Sequence, residues 1–171
     1  MSRNLLGEIF DVVMTTTGTC LAPLGFIRSG LVFRILENGN CGIIGFQRSV
    51  SSSVDSIRFT VNIGVVCGEL LDSETPRLQK TMMADAHLSE RVGMLLPNHS
   101  DKWWEITAQT DSSILSNEIS RLILEKGVPY IKRYLATSEL IALWESGRSP
   151  GLTAFQRDRC LSKLKRIPPS T

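Results

Sequence analysis

Cys67, Asp85 and His87 are the residue types of a thiol–imidazole–carboxylate relay, in which a base within hydrogen-bond reach deprotonates the thiol and an acid orients the base. No sequence signature brings the three together. Cys67 ends an apolar run, Gly64-Val65-Val66, where a small buried side chain is the ordinary role. Asp85-x-His87 and His99-x-Asp101 are short acid–imidazole pairs, but the histidine spacing of a helical zinc site is missing, so they read as loop residues. "GNCGIIG" and "GVVCG" neither continue into Gly-Lys-Ser/Thr nor open a helix. Their glycines sit inside strand patterns, where they mark bulges or close backbone approach. No catalytic residue, metal or cofactor is expected from these stretches.

Binding chemistry is better represented. In "SIRFTVNIGVV" (56–66), Ile57, Phe59, Val61, Ile63 and Val65 alternate with Arg58, Thr60, Asn62 and Gly64, the period of a strand with one buried face. Arg58, Thr60 and Asn62 then share the opposite face. Gln47 and Ser49 on the preceding strand and Arg34 on the one before can line the same surface, with Arg91 joining from a fourth strand. Arginine forks, amides and an indole are the groups that recognition surfaces use. The tandem Trp103-Trp104 cannot both enter one core, so one of them borders the polar face. The expected partner-binding set is Arg34, Gln47, Arg58, Thr60, Asn62, Arg91 and Trp104.

A second candidate lies near the C-terminus. Arg157, Arg159, Lys163, Lys165 and Arg166 fall on one expected helix, a set suited to phosphate contacts with nucleic acid. Phe155, Leu161 and Leu164 imply that one side of it packs on the body, and Asp158 interrupts the run. Charge is uneven along the chain. Residues 1–120 carry nine Lys/Arg against thirteen Asp/Glu, and residues 121–171 carry ten against four, within a net charge of +2.

The elements that position these groups follow from pattern. Leu5, Ile9, Val12, Val13 and Cys20 recur at helical spacing, weakened by Thr15-Thr16-Thr17-Gly18 and ended by Pro23 and Gly25. "GFIRSGLVFRILE" is one strand, with Leu31, Phe33 and Ile35 opposite Val32 and Arg34. Asn38-Gly39-Asn40 is a hairpin signal, since Asn and Gly tolerate positive φ. "CGIIGFQRS" returns, 56–66 follows, a strand is expected around Arg91–Leu95, and "KWWEITAQ" is the fifth. Residues 68–79 read as an exposed connection. Asp111 caps a helix that Gly127 stops; Pro129 opens the next; Thr137 caps another; Thr153 and Gln156 have capping-box spacing for the last. The fold class is α+β: an antiparallel sheet of about five meandering strands, preceded by one helix, with three to four further helices covering one face.

At 171 residues a single domain over 1–171 is expected, its last part, 136–171, a basic helical extension. Cys20, Cys41, Cys67 and Cys160 form no C-x-x-C pair, which favours reduced thiols and a cytoplasmic location. No apolar run is expected to span a bilayer, and Glu8 and Asp11 argue against a secretory signal.

The ordered motifs "LGF", "FQRS", "FTVNIGV", "ERVGML" and "WWEI" resemble the bacterial family catalogued as domain of unknown function 4304, over about residues 5–135. The resemblance implies a fold and carries over no catalytic residue. Small bacterial domains of this kind often sit in toxin-immunity and anti-phage gene neighbourhoods. The expectation is a non-enzymatic binding protein, of the immunity or inhibitor type, recognising a partner protein such as a cognate toxin through the polar sheet face. A nucleic-acid-associated module using the basic helix is the alternative, and a small-molecule enzyme a minor one.

Overall fold

The computed structural model describes residues 2–72 and 77–166. Helix α1 (Ser2–Leu21) leads into strands β1 (Ile27–Ser29), β2 (Val32–Glu37), β3 (Asn40–Arg48) and β4 (Ile57–Cys67). Short 3-10 turns carry the chain to β5 (Leu88–Arg91), and a loop leads to β6 (Trp104–Ile106). Helices α2 (Ser112–Leu122), α3 (Val128–Tyr134), α4 (Thr137–Glu145) and α5 (Ala154–Lys165) complete it. The α+β class stands: an antiparallel sheet with its helices packed on one face.

Two features differ from the expected five-strand meander. "GFIRSGLVFRILE" is not one strand but a hairpin, turned at Gly30 (φ 60°) and Leu31, with Ser29 opposite Val32. The last strand does not extend the sheet either. β5 pairs with β4 at residues 62–65 and β6 pairs with β4 at 57–59, so two short strands share one edge of an 11-residue strand. The strand expected around Arg91–Leu95 is β5 at Leu88–Arg91, and Val92–Leu95 turn as a 3-10 helix. The Asn38-Gly39 hairpin forms as expected, with both residues at positive φ between Glu37 and Asn40.

The helix-facing side of the sheet carries Phe33, Ile35, Ile44, Phe46, Phe59, Val61, Ile63 and Val65, all buried with Phe10, Met14, Ile119, Ile131, Leu140 and Trp144. Aromatic rings organise it: Phe10 meets Phe59 edge-on at 5.1 Å, and Phe59 stacks on Phe46 at 6.0 Å and on Trp104 at 5.8 Å. α1 continues through its threonine run because packing overrides propensity. Thr17 is fully buried with its hydroxyl 3.3 Å from that of Ser120, and Gly18 lets the helix settle against the Phe33 ring.

Gly127 does not stop α2. A π turn, Ile123–Gly127, joins α2 to α3, and Gly127 lies against Ile63 and Val92. Asp111 caps α2 as expected, accepting from the Ser113 and Ile114 N–H groups at 2.9 Å. Thr153 and Gln156 form the capping box of α5. Thr137 is not the cap of α4 but its first residue, Ala136 taking the cap position. The Thr137 hydroxyl instead accepts from Asn40, a fully buried amide that also donates to the Leu135 carbonyl and accepts from the Gly68 N–H.

The opposite face is half covered. Val32, Cys41, Ile43 and Val66 form a second buried cluster beneath Leu71, Leu78, Met83 and Ala86. Of residues 68–79, expected as an exposed connection, Leu71 and Leu78 therefore help cover the sheet, joined by Met83 and Ala86 from the segment that follows. α1 also needs a correction: Leu5–Leu24 is long and apolar enough to cross a membrane. Here it buries Leu6, Ile9, Phe10, Val13, Met14 and Leu21 in the core.

Candidate functional site

The uncovered part of the second face lies where β5 and β6 leave a gap along β4. Cross-strand register sets its residues side by side: Gln47 opposite Thr60, Arg91 opposite Asn62, Glu105 opposite Arg58. The loop between β5 and β6 crosses the gap. It folds so tightly that a Cβ on Gly93 would lie 2.4 Å from the Ser100 carbonyl oxygen. The Thr60 hydroxyl, fully buried, donates to the Lys102 carbonyl at 2.7 Å and fixes the loop to the strand.

That loop delivers Trp103 onto the polar face. The Arg58 guanidinium lies 5.0 Å and that of Arg91 5.1 Å from the centre of its ring. The indole N–H donates to Asp101 at 3.0 Å, and the same carboxylate is paired with Arg91. The result is a cation–aromatic cluster whose four side chains hold one another in place. Beside it, the Asn62 amide donates to Gln47 Oε1 at 2.8 Å, leaving the Gln47 NH2 as donor and the Asn62 oxygen as acceptor. A cleft of about 350 Å³ opens there, lined by Gln47, Asn62, Ser89, Arg91 and, from the turn before α5, Pro150 and Gly151.

Gln47, Arg58, Asn62 and Arg91 thus meet on one open patch. Arg34 and Thr60 do not belong to it. Arg34 donates from Nε to the Thr81 carbonyl at 2.7 Å and from Nη2 to the Met82 sulfur at 3.0 Å, so it fastens the covering segment. Thr60 is committed to the loop. Trp104 is on the wrong face. It pairs with Phe59, paired residues share a face, and Phe59 points to the helices. Trp104 is accordingly 6% exposed, and its N–H donates to Glu118 at 3.0 Å. Glu118 also pairs with Lys102. These two contacts, with the nearby Lys102 charge, overcome a partial burial that favours the protonated acid, and hold its carboxyl below the usual range.

Alternation sets Trp103 and Glu105 opposite Trp104 and Ile106, and the structure keeps that split, but the expected set took Trp104 as the outward one where pairing with Phe59 turns it in. Trp103 and Asp101 are the site residues that sequence reasoning missed, because both depend on the path of an irregular loop.

The relay residues do not assemble. His87 Nδ1 accepts from the Cys67 backbone N–H at 3.1 Å and does not take the thiol proton. Burial pushes the Cys67 thiol up and the His87 imidazole down. Asp85 accepts from the Met82 N–H at 2.7 Å, His99 Nδ1 lies 2.8 Å from the Met94 carbonyl oxygen, and Asp101 belongs to the Trp103 cluster. Among the described residues no three His, Cys, Asp or Glu side chains are grouped to hold a metal ion. The strand glycines mark close approach: a Cβ on Gly42 would lie 2.3 Å from Ile131.

The five cations of α5 do not share one face. At 100° per residue, Arg159, Lys163 and Arg166 fall together while Arg157 and Lys165 point elsewhere. Lys163 is paired with Asp72 and Lys165 with Glu145. Leu164 is the buried residue of α5 and Leu161 is half-buried, but Phe155 is 77% exposed and does not pack on the body.

A family model described as Domain of unknown function (DUF4304) matches residues 17–133. The matched segment holds all six strands, Trp103 and its two arginines, and ends within α3. No curated protein and no solved structure matches the chain.

Proposed function

Because the chain belongs to the DUF4304 family, whose description names no activity, its role is read from its site, and we propose that it is a non-enzymatic binding protein for another protein. The observation that carries this reading is Trp103, held beside Arg58 and Arg91 on an otherwise polar sheet face. A pre-positioned indole flanked by guanidiniums is the composition of an interface anchor, since its ordering cost is met before the partner arrives. The amide pair Gln47–Asn62 and the adjoining cleft supply directional donors and acceptors around it. In this reading the protein is of the immunity or inhibitor type, its partner a bacterial protein such as a toxin. It acts in the cytoplasm, in keeping with four unpaired cysteines.

The test is co-purification from the native host with wild-type protein, Trp103→Ala, Arg58→Ala, and a control, Arg133→Ala, altered on the helical side. Capture of the same partner by wild type and control, with at least a tenfold loss for Trp103→Ala and Arg58→Ala at unchanged far-UV circular dichroism, supports the surface. Retained capture by both site variants refutes it.

A further inference from the structure

Beside the face that buries Leu164, α5 carries a polar stripe along the edge of its contact with the body. Gln156, Arg159, Cys160 and Lys163 follow at the spacing of one helix face. Together with His87 they line a cleft of about 280 Å³, walled by Leu70 and Leu152. Gln156, Arg159 and Lys163 on this exposed stripe offer donors to the cleft.

Lys163 Nζ donates to the Leu70 carbonyl at 3.1 Å and to Asp72 at 3.0 Å, which fixes the ammonium and leaves one hydrogen. His87 Nδ1 accepts from the Cys67 N–H, so the neutral ring carries its proton on Nε2. Gln156 Oε1 accepts from Thr153 in the capping box at 2.9 Å, which leaves its NH2 group to donate. Arg159 forms no ion pair among the described residues and offers a planar fork. Among the described residues lining the cleft the carboxylate is Asp72, with its side chain 79% exposed and tied to Lys163. The lining thus sets two cations, Arg159 and Lys163, against Asp72, with Asp85 also acting on His87 from nearby.

We propose that this cleft binds a small ligand bearing a phosphate group. A tetrahedral dianion accepts from several directions at once, which suits a cleft whose lining includes the donors of Arg159, Lys163, His87 and Gln156. Leu70 and Leu152 face the ligand's apolar body. The volume lies at the lower bound of small-molecule sites, about 300 Å³, and holds a phosphate with a compact substituent. The site is separate from the Trp103 patch and stands whether or not that patch binds a protein.

Titration with inorganic phosphate at low ionic strength, followed by calorimetry and by the His87 imidazole NMR signals, tests it, with acetate and chloride as comparison anions. Saturable one-site phosphate binding that moves the His87 signals, with acetate weaker, is expected. Arg159→Ala lowers affinity at least tenfold, Arg159→Gln does the same in a variant of near-native size, and Arg157→Ala changes it less than twofold. Equal response to chloride at matched ionic strength, unmoved His87 signals, or an equal loss in Arg157→Ala overturns the proposal. Tighter binding of a single-stranded oligonucleotide that depends on Arg166, which lies outside the cleft lining, also overturns it, by moving recognition to the open helix surface.

Discussion

The two adjacent tryptophans give opposite answers to the same substitution. Trp104 is 6% exposed, stacks on Phe59 at 5.8 Å and donates to Glu118, so truncation opens a cavity beside the aromatic core and removes one of the partners of Glu118, which keeps Lys102. Trp104→Ala is expected to cost about 4 kcal/mol, the middle of the range for buried aromatic truncation. Trp103 contributes two cation–π contacts, at ~0.5–1 kcal/mol each for sites reached by solvent. Its single hydrogen bond to the Asp101 carboxylate brings the expected cost of Trp103→Ala to about 2 kcal/mol. With a urea slope of ~2 kcal/mol per molar, the midpoints fall by about 2 M and about 1 M respectively. Urea unfolding followed by far-UV circular dichroism, which does not depend on the deleted fluorophore, measures both. A loss for Trp103→Ala equal to or larger than that for Trp104→Ala refutes the assignment of faces, and the candidate surface with it.

Other perturbations test the frame. Asn40→Ala removes three hydrogen bonds and leaves the Leu135 carbonyl and the Gly68 N–H without their partner, a loss of about 3 kcal/mol in the same urea measurement. His87 is held neutral by burial and by Lys163, so its folded pKa lies below the unfolded value of about 6.5. The unfolded chain therefore takes up a proton first as pH falls. Stability from this group is full above about pH 6.5 and declines below it until the folded ring also protonates. Urea midpoints of wild type and His87→Asn, compared from pH 8 to pH 5, should show the component in wild type alone; parallel curves would exclude it.

Much of the fold was legible because it follows local chemistry. The Asn38-Gly39 turn, the alternation in 56–66, the Asp111 cap and the Thr153–Gln156 capping box each use residues within a few positions of one another. What was not legible depended on distant partners. Gly127 has the look of a helix stop, yet it ends a π turn that runs on into α3, close to Ile63 and Val92. Arg34 alternates onto the polar face as expected, but the covering segment that takes its guanidinium lies 47 residues away. The site was half readable for the same reason. Gln47, Arg58 and Asn62 follow from strand parity, whereas the choice of Trp103 over Trp104 required the pairing of Phe59 with its neighbour.

The division of one edge of β4 between β5 and β6 also bears on self-association. A strand of 11 residues left bare would be a template for another chain, and growth by strand addition needs a run of unpaired N–H and C=O groups. Splitting that edge leaves borders of four and three residues, and the far border, β1, is three residues long. Ile27 stands 75% exposed on that far border, an apolar side chain with very little backbone beside it to propagate a fibril. Lengthening β1, by replacing the Gly30-Leu31 turn with residues that favour continuous strand, is therefore the alteration through which this sheet would begin to aggregate.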